Sequence, residues 1–245
     1  MAKSKDIEGV KIDKRLKKKY NEYYNEEVIR GREIGAKDKA GNIMKLCSDV
    51  PHDKIIGVGA GTGAVAAALS KNGFGSKITC AEISESGIEF TKKRGIKNVN
   101  KVIKFDGYNL PFDDNEFDLT ISSHVLEHVE HQRVFLKEVS RVSKYTYLEV
   151  PLLDTVRMSK NFTGNEVGHI NFYNYNTFRK LLQTSGYKIV NQRIFCHSFE
   201  SIQKNESERI NSFVKYAIYK CAHSISGKVM SNFLVYHCGA VSRTH

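Results

Sequence analysis

No apolar run in this 245-residue sequence approaches the about 20 residues that cross a bilayer, and residues 1–9 do not have the pattern of a secretion signal. The five cysteines (Cys47, Cys80, Cys196, Cys221 and Cys238) are odd in number and scattered, without a Cys-x-x-Cys pair. That excludes a disulfide framework and a zinc ribbon, and points to a reducing compartment, read here as the cytoplasm. Internal repeats and low-complexity tracts are absent as well. What remains is a globular chain, 40% hydrophobic, with enough material for one large domain or two small ones.

Charge of one sign is scarce in the middle and abundant at the ends. Of the net +11, residues 1–20 carry +5 and residues 201–245 carry +4, so the 180 residues between them are nearly neutral. Basic ends suit an anionic acceptor, a membrane surface or nucleic acid, and they also serve as solvated tails.

The most informative stretch is Lys54-Ile-Ile-Gly-Val-Gly59-Ala-Gly61-Thr-Gly63-Ala64. A short β-branched run predicts a buried strand, three alternating glycines remove the Cβ at every second position of the turn, and the Ala-rich 64–70 predicts a helix. Such a strand–turn–helix places a nucleotide-type ligand against backbone N–H groups. The turn alone also fits the dinucleotide fingerprint, so its ligand must be named by the rest of the chain.

Residues 13–34 read as a charged helix carrying Leu16, Tyr20, Tyr23, Tyr24 and Val28, whose rings either pack on the core or cover a cleft. A second helix is expected over 40–47, ended before Pro51. Strands are expected at 77–83, 99–105, 116–122, 145–150, 186–191 and 231–241, with helices at 84–94, 132–143 and 175–185. Their alternation predicts an α/β fold, a Rossmann-like, seven-stranded, mostly parallel sheet with helices on both faces. Two regions follow: an N-terminal helical lid or acceptor segment over 1–50, and a cofactor-binding domain over 51–245 with a helical insert at about 198–230. Glu82 falls at the end of the second strand, 19 residues past Gly63, where a carboxylate can accept from ribose hydroxyls.

In order, the glycine turn, Glu82, Asp106-Gly-Tyr-Asn-Leu-Pro-Phe112, Phe117-Asp-Leu119 and His124-Val-Leu-Glu-His-Val129 resemble the class I S-adenosylmethionine-dependent methyltransferases, in particular the methyltransferase type 11 group. The resemblance runs from about residue 55 to 190 and decides against a nicotinamide dehydrogenase. It implies that the backbone of Gly59, Ala60 and Gly61 passes under the methionine part of S-adenosyl-L-methionine, that Glu82 takes the ribose and Ile83 lies on the adenine. It also implies that Asp106 and Gly107 meet the adenine edge and that Ser122 or Ser123 borders the sulfonium. One departure is Gly57, where the family usually has an acid. A second is Ser143-Lys144, which replaces a glycine-containing loop.

His124-Val-Leu-Glu127-His128 also fits a zinc-protease pattern, but it follows a strand in a sheet that already presents a cofactor site. Ubiquinone-pathway O-methyltransferases resemble this segment and hold a divalent ion through acids and a histidine there. The first acid is His124 here, so no metal is assigned. The resemblance places residues 168–173 over the acceptor, making His169 and His128 the candidate bases. The resulting expectation is O-methylation of a small-molecule or sugar/glycan hydroxyl. RNA methylation through the basic termini and cofactor binding without catalysis are the alternatives. A peripheral membrane contact through the aromatic-basic stretch 206–230 stays open, as does the oligomeric state.

Overall fold

The computed structural model describes residues 26–156, 158, 168–204 and 209–244. Leu16, Tyr20, Tyr23, Tyr24 and the basic N-terminal stretch lie outside the described residues, and the side chain of Val28 does too. The elements are α1 (Glu26–Cys47), β1 (Lys54–Val58), α2 (Ala64–Lys71), β2 (Lys77–Glu82), α3 (Glu85–Lys93), β3 (Val99–Lys104), β4 (Phe117–Ser123), a 3-10 turn (Leu126–His128), α4 (Gln132–Arg141), β5 (Ser143–Pro151), α5 (Tyr175–Thr184), β6 (Tyr187–Phe195), α6 (Phe199–Gln203), α7 (Arg209–Met230) and β7 (His237–Thr244).

The seven strands form one sheet in the order β3-β2-β1-β4-β5-β7-β6. All pairs are parallel except those of β7, which runs antiparallel to both β5 and β6. The expected Rossmann-like, mostly parallel sheet is therefore present. Successive residues of β1 show why both faces are covered, since side chains alternate across a strand. Ile55 joins one core with Ile43, Leu46 and Leu69 from α1 and α2, and Ile56 joins the other with Phe135, Leu136 and Phe178 from α4 and α5.

Two expected boundaries move. The helices expected over 13–34 and 40–47 are one helix as far as they are described, because Ala36, Ala40, Ile43 and Cys47 form a single buried stripe at helical spacing. The last strand starts at His237 rather than near 231, because Asn232, Phe233 and Leu234 close turns on the end of α7. Asn174 caps α5 with a capping box, and Gly186, at φ 88°, follows its C-cap Ser185. Among the described residues no helix is long and apolar enough to cross a membrane.

Candidate active site

The carboxyl ends of β3, β2, β1 and β4 are neighbours, so their terminal loops form one row along a sheet edge. Asp106-Gly107, Glu82, the Gly59–Gly63 turn and Ser123 lie on it in that order. Gly59 has φ 73°, and a Cβ there would collide with the Val125 side chain. Gly63 has φ 73° as the N-cap of α2, and a Cβ on it would lie 2.8 Å from Thr91 Cγ2. Both glycines are therefore required by backbone geometry and by close packing.

Glu82 is buried, and its carboxylate is taken up by backbone. Oε2 accepts from Gly61 N–H at 2.7 Å, and Oε1 accepts from the N–H groups of Ile83 and Ser84 at 2.9 and 3.0 Å. The acid expected to take a ribose thus ties the glycine turn to the end of β2. Gly59 and Ala60 donate to Ala81 O at 2.9 and 3.1 Å, which fixes the turn from the other side. Asp106 folds onto its own loop, accepting from Tyr108 and Asn109 N–H at 2.9 and 2.7 Å. Gly107 follows, buried, at φ 100°. The Leu-Pro-Phe block is scaffold: Arg141 donates to Leu110 O, Phe112 O, Asp114 and Glu138, and these acids push its already high pKa higher.

Several features of this edge fit the cofactor. The hydroxyl oxygens of Thr62, Ser122 and Ser123 are buried without a hydrogen-bond partner among the described residues, so polar atoms there await a ligand. Ile83 is partly buried against the core beside Glu82. At Gly57, where the resembling family has an acid, a Cβ would meet only Thr79 O at 3.9 Å. A cavity of about 40 Å³ opens there, lined by Gly57, Ala60, Val65, Ile121 and Ser123 among others. The absent carboxylate has left space, not a substitute side chain.

The next stretch of the same edge, at β4, β5 and β7, is rich in histidine and glutamate. His128 and His169 stand together with ring centroids 4.7 Å apart, so the two candidate bases occupy one place. Segment 168–171 is laced onto the 3-10 turn: His128 Nδ1 lies 3.1 Å from Gly168 O, and Ile170 and Asn171 donate N–H to Glu127 O at 2.9 and 3.0 Å. Burial lowers the pKa of both imidazoles, with Glu127 opposing it, so both are neutral near pH 7.

Beside them lie groups that sequence reading missed. Glu149, fully buried on β5, faces His124 Nε2 at 3.5 Å and His237 Nδ1 at 3.2 Å, and its other oxygen accepts from Tyr147 Oη. Burial pushes the Glu149 carboxyl up, but the two histidines outweigh it and hold it well below the usual range. His197 packs edge-on against His237, and burial drops its pKa to about 3. The available signal was a lone acid inside the apolar strand Tyr145-Thr-Tyr-Leu-Glu-Val150. His237 gave none, since only the antiparallel insertion of β7 brings it to this edge.

Residues 56–145 match a family model described as a methyltransferase domain. An uncharacterized protein of Methanocaldococcus jannaschii is 33% identical over 126 residues, 51% of this chain and 52% of its own length. A demethylmenaquinone methyltransferase of Corynebacterium glutamicum is 34% identical over 94 residues, 38% of each chain. The chain thus spans about half or less of the curated relatives it matches. A crystal structure of an S-adenosylmethionine-dependent methyltransferase from Aquifex aeolicus superposes with a TM-score of 0.55 at 17% identity, over 96% of this chain and all of that one. Residues 56–145 therefore resemble a methyltransferase domain, and the fold is that of S-adenosylmethionine-dependent methyltransferases of known structure.

Proposed function

We propose that the protein is an S-adenosyl-L-methionine-dependent methyltransferase that methylates a hydroxyl of a small-molecule acceptor. The observation that carries the reading is the unbroken row of Asp106-Gly107, Glu82, Gly59–Gly63 and Ser123 along one sheet edge, followed at once by the paired imidazoles of His128 and His169. When bound, the cofactor supplies an electrophilic methyl group on a sulfonium. The protein's own work is to hold, align and dry the reactants. Glu82 and Asp106 fix the loops against which the nucleoside rests, and Gly59, Ala60 and Gly61 let the backbone approach it. His169, neutral at working pH and less buried than His128, accepts the acceptor's hydroxyl proton at an imidazole nitrogen. His128 orients it by ring contact.

A second observation favours a lipophilic acceptor. In α7, Ile210, Phe213, Val214, Ile218 and Ile225 are exposed, interleaved with Lys215, Lys220 and Lys228. An apolar face with basic flanks suits a membrane-surface acceptor better than a sugar or RNA, and one relative is named for demethylmenaquinone. Sedimentation with vesicles tests this: retention on anionic vesicles, reduced in Phe213→Ser/Ile218→Ser, is expected, and no retention contradicts it. Calorimetry with the cofactor and a mass-spectrometric screen of hydroxylated acceptors tests the main reading. Cofactor binding with methylated product supports it, and binding without product from any acceptor leaves a cofactor-binding protein instead.

A further inference from the structure

We propose that His124, Glu149 and His237 bind a divalent transition-metal ion of the zinc type at the acceptor end of the sheet edge. Three chain segments deliver the ligands: the residue after β4, the carboxyl-terminal end of β5 and the first residue of β7. His124 Nε2 lies 3.5 Å and His237 Nδ1 lies 3.2 Å from the same oxygen, Glu149 Oε1, and the three donor atoms all fall within 4.8 Å of one another. Around a tetrahedral ion with bonds of about 2.0–2.1 Å, donor atoms sit about 3.3–3.4 Å apart. Two histidines and one carboxylate with a fourth position open is a ligand set used by catalytic zinc.

The surroundings are those of a held ligand set. His124 Nε2 is buried and has no hydrogen-bond partner among the described residues. Its other nitrogen, Nδ1, faces Glu127 Oε1 at 3.3 Å. Glu127 is fully buried, with both carboxylate oxygens unpartnered by hydrogen bonds among the described residues. A small rotation of the imidazole makes Glu127 the outer carboxylate that fixes the tautomer and direction of a metal-bound histidine. Glu149 is oriented in turn by Tyr147 Oη on Oε2 and by Asn42 Nδ2, 3.3 Å from Oε1. His124 also adopts φ 57°, held there by its N–H donating to Glu149 O at 2.8 Å. A non-glycine residue in that region is strained, and such strain collects at functional sites.

The neighbouring group Glu127–His128–His169 also brings three donors together. There His128 Nδ1 already faces Gly168 O, and Glu127 is the partner that His124 needs. The rival to an ion is a closed polar network in which the two imidazoles face Glu149 directly, with the Lys39 ammonium favoured by Glu149 and Glu127 beside it. Use of the ion in catalysis, polarising the acceptor oxygen in the fourth position, rests on the methyltransferase reading.

The test is calorimetric titration of the full-length, chelator-dialysed protein with Zn²⁺, and with Co²⁺ followed by its visible absorption. One equivalent per chain is expected, with tetrahedral cobalt bands. His237→Ala and His124→Ala should each weaken Zn²⁺ binding by at least about 10²-fold, and Glu127→Gln by about 10–100-fold, the range for outer-shell groups. His169→Ala should leave Zn²⁺ affinity within a few-fold. Titration of the same samples with S-adenosylhomocysteine reports that each variant is folded. Absence of saturable Zn²⁺ binding overturns the proposal, and so does loss in His169→Ala with retention in His237→Ala. Nucleoside binding without zinc overturns only this inference. Zinc binding without nucleoside sustains it and counts against the methyltransferase reading.

Discussion

Two halves of one sheet edge use their acids in opposite ways. At β1 to β3, Glu82 and Asp106 accept from main-chain N–H groups of the loops they stand beside. At β4, β5 and β7, Glu127 is buried beside the nearby His124, and Glu149 is buried between His124 and His237 from distant segments. The first half is a backbone cradle whose shape is set locally, and the second is a side-chain cluster assembled by topology. On the proposed function, cofactor grip and acceptor chemistry are separable, and variants should divide the same way.

The largest effect should come from the acceptor half. His169→Ala should lower methyl transfer by about 10²–10⁴-fold, the range for losing a general base, while cofactor affinity stays within a few-fold. Turnover on the identified acceptor, measured beside calorimetry, checks it. Full activity in that variant, with a folded, cofactor-bound and inactive His128→Ala, would move the base to His128.

Next is the cradle. Glu82→Ala should cost about 1.5–3 kcal/mol of cofactor binding, as expected for a charged hydrogen-bonding group. It should also lower the melting temperature, because Gly61 N–H loses its acceptor. Unchanged affinity in a folded variant would break the division at its firmest point.

The cradle half was the legible one. A strand, a glycine turn and a helix are contiguous in sequence, so Gly59, Gly61, Glu82 and Asp106 could be located from local pattern alone, and their row follows from parallel strand order. The acceptor half was legible only where it is local, at His124–His128 and His169. Glu149 looked like part of a strand, and His237 reaches the edge only because β7 inserts antiparallel between β5 and β6. No periodicity announces such an insertion. The unbroken α1 was expected as two helices, and the buried stripe from Ala36 to Cys47 joins them through packing.

A smaller effect tests the cavity. Gly57 sits within β1 with room for a Cβ, so Gly57→Ala should stabilise the fold by about 0.5–1 kcal/mol by relieving a strand glycine. Thermal or urea unfolding reads this, and destabilisation would mean the cavity is needed empty. The smallest concerns Asp118, outside both halves. Burial raises its carboxyl pKa, but Lys54 N–H at 3.0 Å and Lys144 Nζ at 3.2 Å outweigh burial and hold it below the ordinary value. A depressed folded pKa stabilises above the unfolded value of about 4 and is lost as pH falls through the folded one. Asp118→Asn should therefore flatten the acid limb of stability and leave cofactor binding untouched.

The most direct test of the separable halves is calorimetric titration of S-adenosylhomocysteine into the wild type, Glu82→Ala and His169→Ala proteins under one buffer condition. The expected result is one site per chain, weakened roughly 10–150-fold in Glu82→Ala and nearly unchanged in His169→Ala. No binding by the folded wild type, or equal losses in the two variants, would contradict it.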